Sequence, residues 1–128
     1  MSDLNTLHNR AVWFDIPVAD LDRARTFYHA LLDIEIHREE YDGFAFCVLD
    51  HEQGNGGCLV PDPAAISQEG GVLVYLNVDG RIRDAVAKAK ELGAGIIEPI
   101  HAIGPHGCRA IIRDSEGNRI ALHSTADK

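Results

Sequence analysis

Ser115-Glu116-Gly117-Asn118-Arg119-Ile120-Ala121-Leu122 repeats, near the end of the chain, the layout of Glu52-Gln53-Gly54-Asn55-Gly56-Gly57-Cys58-Leu59. In each stretch a Gly-Asn turn precedes a short apolar run. Two amphipathic helices can agree by chance, but chance does not supply the same turn before the same final strand. The chain reads as one unit used twice.

Working outward, a shift of 60 residues places Val18 on Val78, Arg23 on Arg83, Leu32 on Leu92 and Ile36 on Ile96. In the first unit Ala11 to Ile16 alternates, Val12, Phe14 and Ile16 on one face and Ala11, Trp13 and Asp15 on the other. Asp20 is placed to cap a helix whose apolar stripe is Leu21, Ala24, Phe27, Tyr28, Leu31 and Leu32. Strands are expected at 34–39 and 44–49, joined by the hairpin dipeptide Asp42-Gly43, and a short one at Cys58-Leu59-Val60. The second unit begins with a strand over Val72 to Val78, with Leu73, Tyr75 and Asn77 on one face. Asp79 is expected to cap a helix closed by Gly93, and strands follow near 95–102, 108–113 and 119–123. The expected fold is α+β: a single domain over 1–128 made of two βαβββ modules, about 9–66 and 70–125, whose sheets form a half-open barrel.

Composition narrows the function. Twelve Lys and Arg against 20 Asp and Glu leave a net charge of −8, which repels phosphate backbones, so no nucleic-acid partner is expected. No apolar run reaches the length of a membrane span, and residues 1–10 do not resemble a signal peptide, so no membrane partner is expected. Cys47, Cys58 and Cys108 are odd in number and widely spaced, which fits a reducing cytoplasm. Gly54 to Gly57 and Gly104 to Gly107 lack a following helix and read as turns, the second a candidate rim over the cleft.

The phrases Trp13-Phe14-Asp15-Ile16-Pro17-Val18, Asp20-Leu21-Asp22-Arg23-Ala24 with Phe27-Tyr28, Val74-Tyr75-Leu76-Asn77-Val78-Asp79, and Asp114 to Ser124 resemble the vicinal oxygen chelate superfamily. That superfamily includes glyoxalase I, extradiol dioxygenases and the bleomycin- and fosfomycin-resistance proteins. More narrowly they are similar to a bacterial group of predicted enzymes related to lactoylglutathione lyase. The resemblance spans about residues 9–124. It implies a homodimer, and a divalent metal held by His or Glu on the first and last strands of each module. Here those positions fall on Trp13, Leu73, Cys58 and Ala121, an indole N–H donor, two hydrocarbons and one thiol. One thiolate does not hold a metal alone, so no metal or other cofactor is expected, unless ligands lie outside the family positions. His101 and His106 flank a loop and read as solvent-exposed.

The period-2 rule makes Trp13, Asp15, Cys58, Leu73, Tyr75, Asn77, Arg119, Ala121 and His123 the cleft residues, an aromatic and apolar floor with a few polar groups. Trp13 either stacks on a ligand or fills the volume a metal would take. Tyr75 and Asn77 either meet ligand or line the barrel and tie a strand end. Asp15 needs a partner, for which Arg119 and His123 are the candidates, and Asp15 with His123 forms the candidate acid–base pair. Cys58 is read as a small hydrophobe ahead of a nucleophile. The expected function is a glyoxalase-like protein binding a small organic molecule; the alternative is a lyase or isomerase using side-chain acid and base groups or a metal. A regulatory module that binds a partner is the third reading.

Overall fold

The computed structural model describes residues 13–128, apart from the side chain of His106. His8, Ala11 and Val12 lie outside the described residues. The first module runs β1 (Asp15–Val18), α1 (Leu21–Leu32), β2 (Ile36–Tyr41), β3 (Phe44–Leu49) and β4 (Cys58–Pro61). The second runs β5 (Tyr75–Asn77), α2 (Ile82–Glu91), β6 (Ile96–Ala102), β7 (Cys108–Arg113) and β8 (Arg119–Ser124). Each module is a four-stranded mixed sheet, ordered β1-β4-β3-β2 and β5-β8-β7-β6. Together they form an α+β, half-open barrel.

Strand register exposes the repeat directly. Asp15 faces Cys58 in the first sheet, and Tyr75 faces Ala121 in the second. Ile36 pairs with Leu49, and Ile96 with Ile112. The same shifts that align the sequences align the hydrogen-bonded ladders.

Local chemistry sets the elements. Asp20 caps α1, its carboxylate accepting from the Arg23 N–H at 3.0 Å, and Asp33 ends the helix in the left-handed region. Asp42 and Gly43 both take positive φ, which is what a two-residue hairpin between Tyr41 and Phe44 requires. α2 departs from expectation: its N-cap is Arg81, without a side-chain cap bond. Asp79 is instead committed to the end of β8, accepting from the Thr125 N–H at 2.7 Å and its hydroxyl at 2.6 Å. β5 is also shorter than the alternating run, and Val72 is 89% exposed. It is an edge strand pairing only with β8, and upstream of Val74 the same register would meet Arg119, whose N–H already donates to the Ser67 carbonyl at 3.3 Å, and then the 114–118 turn, already bonded to itself.

Ile16, Val18, Leu59, Cys47 and Leu49 turn toward α1, and Leu76, Leu122, Ala110 and Ile112 toward α2, in one continuous core. The opposite faces of both sheets are left for function. Buried groups clasp the modules. Tyr28 donates to Asp114 at 2.6 Å, and the Asn118 amide donates to the Pro17 carbonyl at 2.6 Å. Glu116 accepts from the Ala19 and Asp20 N–H groups at 2.8 and 2.9 Å and pairs with Arg23 at 2.7 Å. The Gly-Asn turn that revealed the duplication thus binds the second module to the first.

Candidate ligand-binding site

In β1, burial of Ile16 and Val18 leaves Asp15 and Pro17 on the free face, and register sets Cys58 and Val60 of β4 beside them. β3 buries Cys47 and Leu49 and so presents Phe44, Phe46 and Val48. The result is a cavity of about 420 Å³ lined by Asp15, Tyr41, Asp42, Phe44, Phe46, Cys58 and Val60. Phe44 and Phe46 lie nearly parallel, their centroids 6.4 Å apart. Trp13, 43% exposed, meets the edge of His51 at 5.7 Å.

The Cys58 thiol donates to the Asp15 carboxylate at 3.2 Å. Burial pushes its pKa up to about 11, the Asp15 carboxylate adds to the rise, and a hydrogen bond from Trp13 opposes it. At neutral pH this group is a thiol and a donor, not a nucleophile. Close approach of β1 and β4 makes this arrangement possible: the Cys58 N–H donates to the Phe14 carbonyl at 3.0 Å, and a Cβ on Gly57 would stand 2.5 Å from that same oxygen.

On the second sheet the free face carries Tyr75 and Asn77 of β5, Arg119, Ala121 and His123 of β8, and Arg109, Ile111 and Arg113 of β7, all matched in register. Arg109 donates to the Tyr75 hydroxyl at 2.5 Å and to His101 at 3.1 Å. The rings of Tyr75 and His123 are 6.5 Å apart. Asn77 accepts from the Asp79 N–H at 2.9 Å, tying down the end of its strand. Ala121 is fully buried, and Leu73 is half-buried just before β5. Where the modules meet, a second cavity of about 360 Å³ is walled by Phe14, Pro17, Val72 and Val74, with Asp15 and Arg119 on its rim.

Residues 10–122 match the family described as the glyoxalase/bleomycin resistance protein/dioxygenase superfamily. The chain belongs to this superfamily. Its fold is similar to that of hypothetical protein SA1046 from S. aureus, at 19% identity and a TM-score of 0.71, covering 91% of this chain and 94% of that one. The fosfomycin resistance protein FosX from Listeria monocytogenes is similar at 14% identity and a TM-score of 0.68, covering 91% and 93%. Glyoxalase I of Leishmania major is similar at 17% identity and a TM-score of 0.64, covering 91% and 87%. At such identities the likeness establishes the fold. No curated protein matches the chain.

The resemblance assigns metal ligands to Trp13, Leu73, Cys58 and Ala121. Trp13 offers only an N–H, Leu73 and Ala121 offer nothing, and Cys58 is a protonated thiol turned to Asp15. Among the described residues no three His, Cys, Asp or Glu side chains gather closely enough to hold an ion.

The structure brings Trp13, Asp15 and Cys58 together on the first sheet, and Tyr75, Asn77, Ala121 and His123 together on the second. The partner of Asp15 is Cys58, where the sequence pointed to Arg119 or His123; Asp15 and Arg119 share the junction cavity without an ion pair. Phe44, Phe46, Tyr41 and Arg109 escaped the sequence reading, which took His101 for a loop residue. The β7 alternation Arg109, Ile111, Arg113 was a usable signal for Arg109. His101 is part of β6 and held by Arg109, not a free loop histidine.

Proposed function

We propose that this superfamily member binds a small organic molecule of aromatic or amphipathic character on the free face of its first sheet. The observation that carries the reading is the 420 Å³ cavity, in which Phe44, Phe46 and Val60 supply apolar walls, Asp15 with Cys58 a polar corner, and Tyr41 and Asp42 polar groups from the β2–β3 hairpin. Apolar walls with few convergent polar groups are what small-ligand sites are made of. A second reading is a lyase or isomerase. It draws on Tyr75 and His123 lying side by side with Arg109 bonded to the Tyr75 hydroxyl, a cluster able to hold and return a proton.

A homodimer belongs to the proposal because Tyr41 is 79% exposed and Phe44 46% exposed at the rim of the same cavity, surface that a second copy covers. The setting proposed is a reducing cytoplasm, which suits three free, buried cysteines.

The test is a thermal-shift screen of small aromatic molecules, with Trp13, the sole tryptophan, as a second readout through its emission. A ligand at about 100 times its dissociation constant stabilises by about 2.7 kcal/mol. Binding that shifts Trp13 emission and weakens at least about tenfold in Phe46→Ala is expected. Ligands that bind Phe46→Ala equally well and leave Trp13 emission unchanged would refute the site. Stoichiometric divalent metal in purified protein would favour the second reading.

A further inference from the structure

Arg113 and Arg119 are opposite one another in the β7–β8 ladder, so both side chains project from the free face of the second sheet. Directly opposed residues have Cβ atoms about 5 Å apart, and like charges so placed repel. Both guanidinium Nε atoms are buried and lack a hydrogen-bond partner. Neither side chain forms an ion pair among the described residues.

The other described arginines behave differently. Arg23 meets Glu116, Arg81 meets Asp84 and the Leu31 carbonyl, Arg83 meets Asp127, and Arg109 meets Tyr75. In a chain with eight more acidic than basic side chains, two apposed and unpaired guanidiniums run against the local charge balance. A buried donor without a partner carries its full desolvation cost, so such groups call for an explanation.

An oxyanion supplies what is missing. A carboxylate or phosphate presents several acceptor oxygens in the geometry that guanidinium forks match, and its attraction for each guanidinium offsets the Arg113–Arg119 repulsion. Arg119 also opens onto the junction cavity, whose walls Phe14, Pro17, Val72 and Val74 are apolar. Asp15, on the same cavity and bound to Cys58, repels an anion there and so keeps the anionic end of a guest at the arginines.

We propose that Arg113 and Arg119 form a receptor for the carboxylate or phosphate group of a small molecule whose apolar body occupies the junction cavity. This site shares only Asp15 with the aromatic cavity of the first sheet and does not rest on the function proposed there.

The experiment titrates full-length protein with inorganic phosphate and, separately, benzoate, against sodium chloride at matched ionic strength, by calorimetry and thermal shift. Arg113→Gln and Arg119→Gln are compared with wild type and with Arg83→Gln, a surface control. Saturable binding of at least one probe, weakened at least about tenfold in both Gln variants and unchanged in the control, is expected. The preferred probe identifies the oxyanion. In chloride alone Arg119→Gln should be more stable than wild type, since it removes the repulsion, and phosphate, by stabilising wild type, should narrow that gap. Absence of saturable binding to wild type, or equal affinity in both variants, overturns the proposal. So does dissociation of an oligomer by the variants with no response to either probe, because a neighbouring copy's carboxylates would then be the natural partner.

Discussion

Replacing Glu116 with Gln removes a negative charge on which five hydrogen bonds converge: two from Arg23, two from the Ala19 and Asp20 backbone, and one from Ser115. The Glu116 side chain is fully shielded from solvent while Arg23 is 54% exposed. Burial by itself would raise the carboxyl pKa, but the Arg23 bonds, with those from Asp20, Ser115 and Ala19, win and bring it from 4.5 to about 2. A displacement of that size corresponds to about 3 kcal/mol in favour of the folded, ionised form. Solvent screening at the exposed Arg23 reduces this to about 2 kcal/mol. For a chain of this length the loss lowers the melting temperature by about 7 °C. The amide introduced by Glu116→Gln also sets an N–H₂ against these donors, so the variant gains nothing in return. Calorimetry of wild type and Glu116→Gln across pH measures the difference. The folded pKa is depressed, so the wild-type advantage is complete above about pH 4.5 and declines as pH falls toward 2. A gap under about 0.5 kcal/mol at pH 7, or one that stays constant from pH 7 to pH 3, would refute the reasoning.

Two further perturbations probe the closeness of β1 and β4. With its pKa raised to about 11, Cys58 should resist iodoacetamide at pH 8 in the native protein and react only as fast as the chain unfolds; rapid native labelling at Cys58, mapped by mass spectrometry, would contradict its thiol state. Gly57→Ala puts a Cβ 2.5 Å from the Phe14 carbonyl oxygen and should destabilise by at least about 2 kcal/mol in urea denaturation, whereas Gly43→Ala, which meets nothing within 4 Å, is limited to the strain of its positive φ.

The core was legible because its signal is periodic. Ile16, Val18, Ala24, Phe27, Tyr28 and Leu31 occupy the buried positions that period 2 and period 3.6 assign them. The duplication was legible because its turn is bonded across the molecule: Asn118 holds Pro17, so the dipeptide is constrained by both modules. Asp79 misled because a capping residue was read from its neighbours in sequence, while Thr125, distant in sequence, holds it. Arg109 was missed, and His101 taken for a loop residue, for the same reason. Their meeting depends on β6–β7 register, which includes irregularities between Ile96 and His101 that no periodicity announces. Parity names a face; only register names a neighbour.

That distinction explains how one unit came to carry two different surfaces. The helix-facing positions are constrained in both copies by the same packing, so Val18 and Val78, or Leu59 and Leu122, remain interchangeable. The opposite-face positions do not pack on the helices, and here the copies part: Asp15 stands where the second module has Tyr75, and Cys58 where it has Ala121. The first face has become aromatic and acidic, with Phe44, Phe46, Tyr41 and Asp15, and the second basic, with Arg109, Arg113 and Arg119. The two faces therefore offer a guest unlike surroundings, carboxylate and aromatic rings on one side and guanidinium groups on the other. They have diverged in charge as well as in side-chain chemistry, because the positions that pack on the helices could not change and these could.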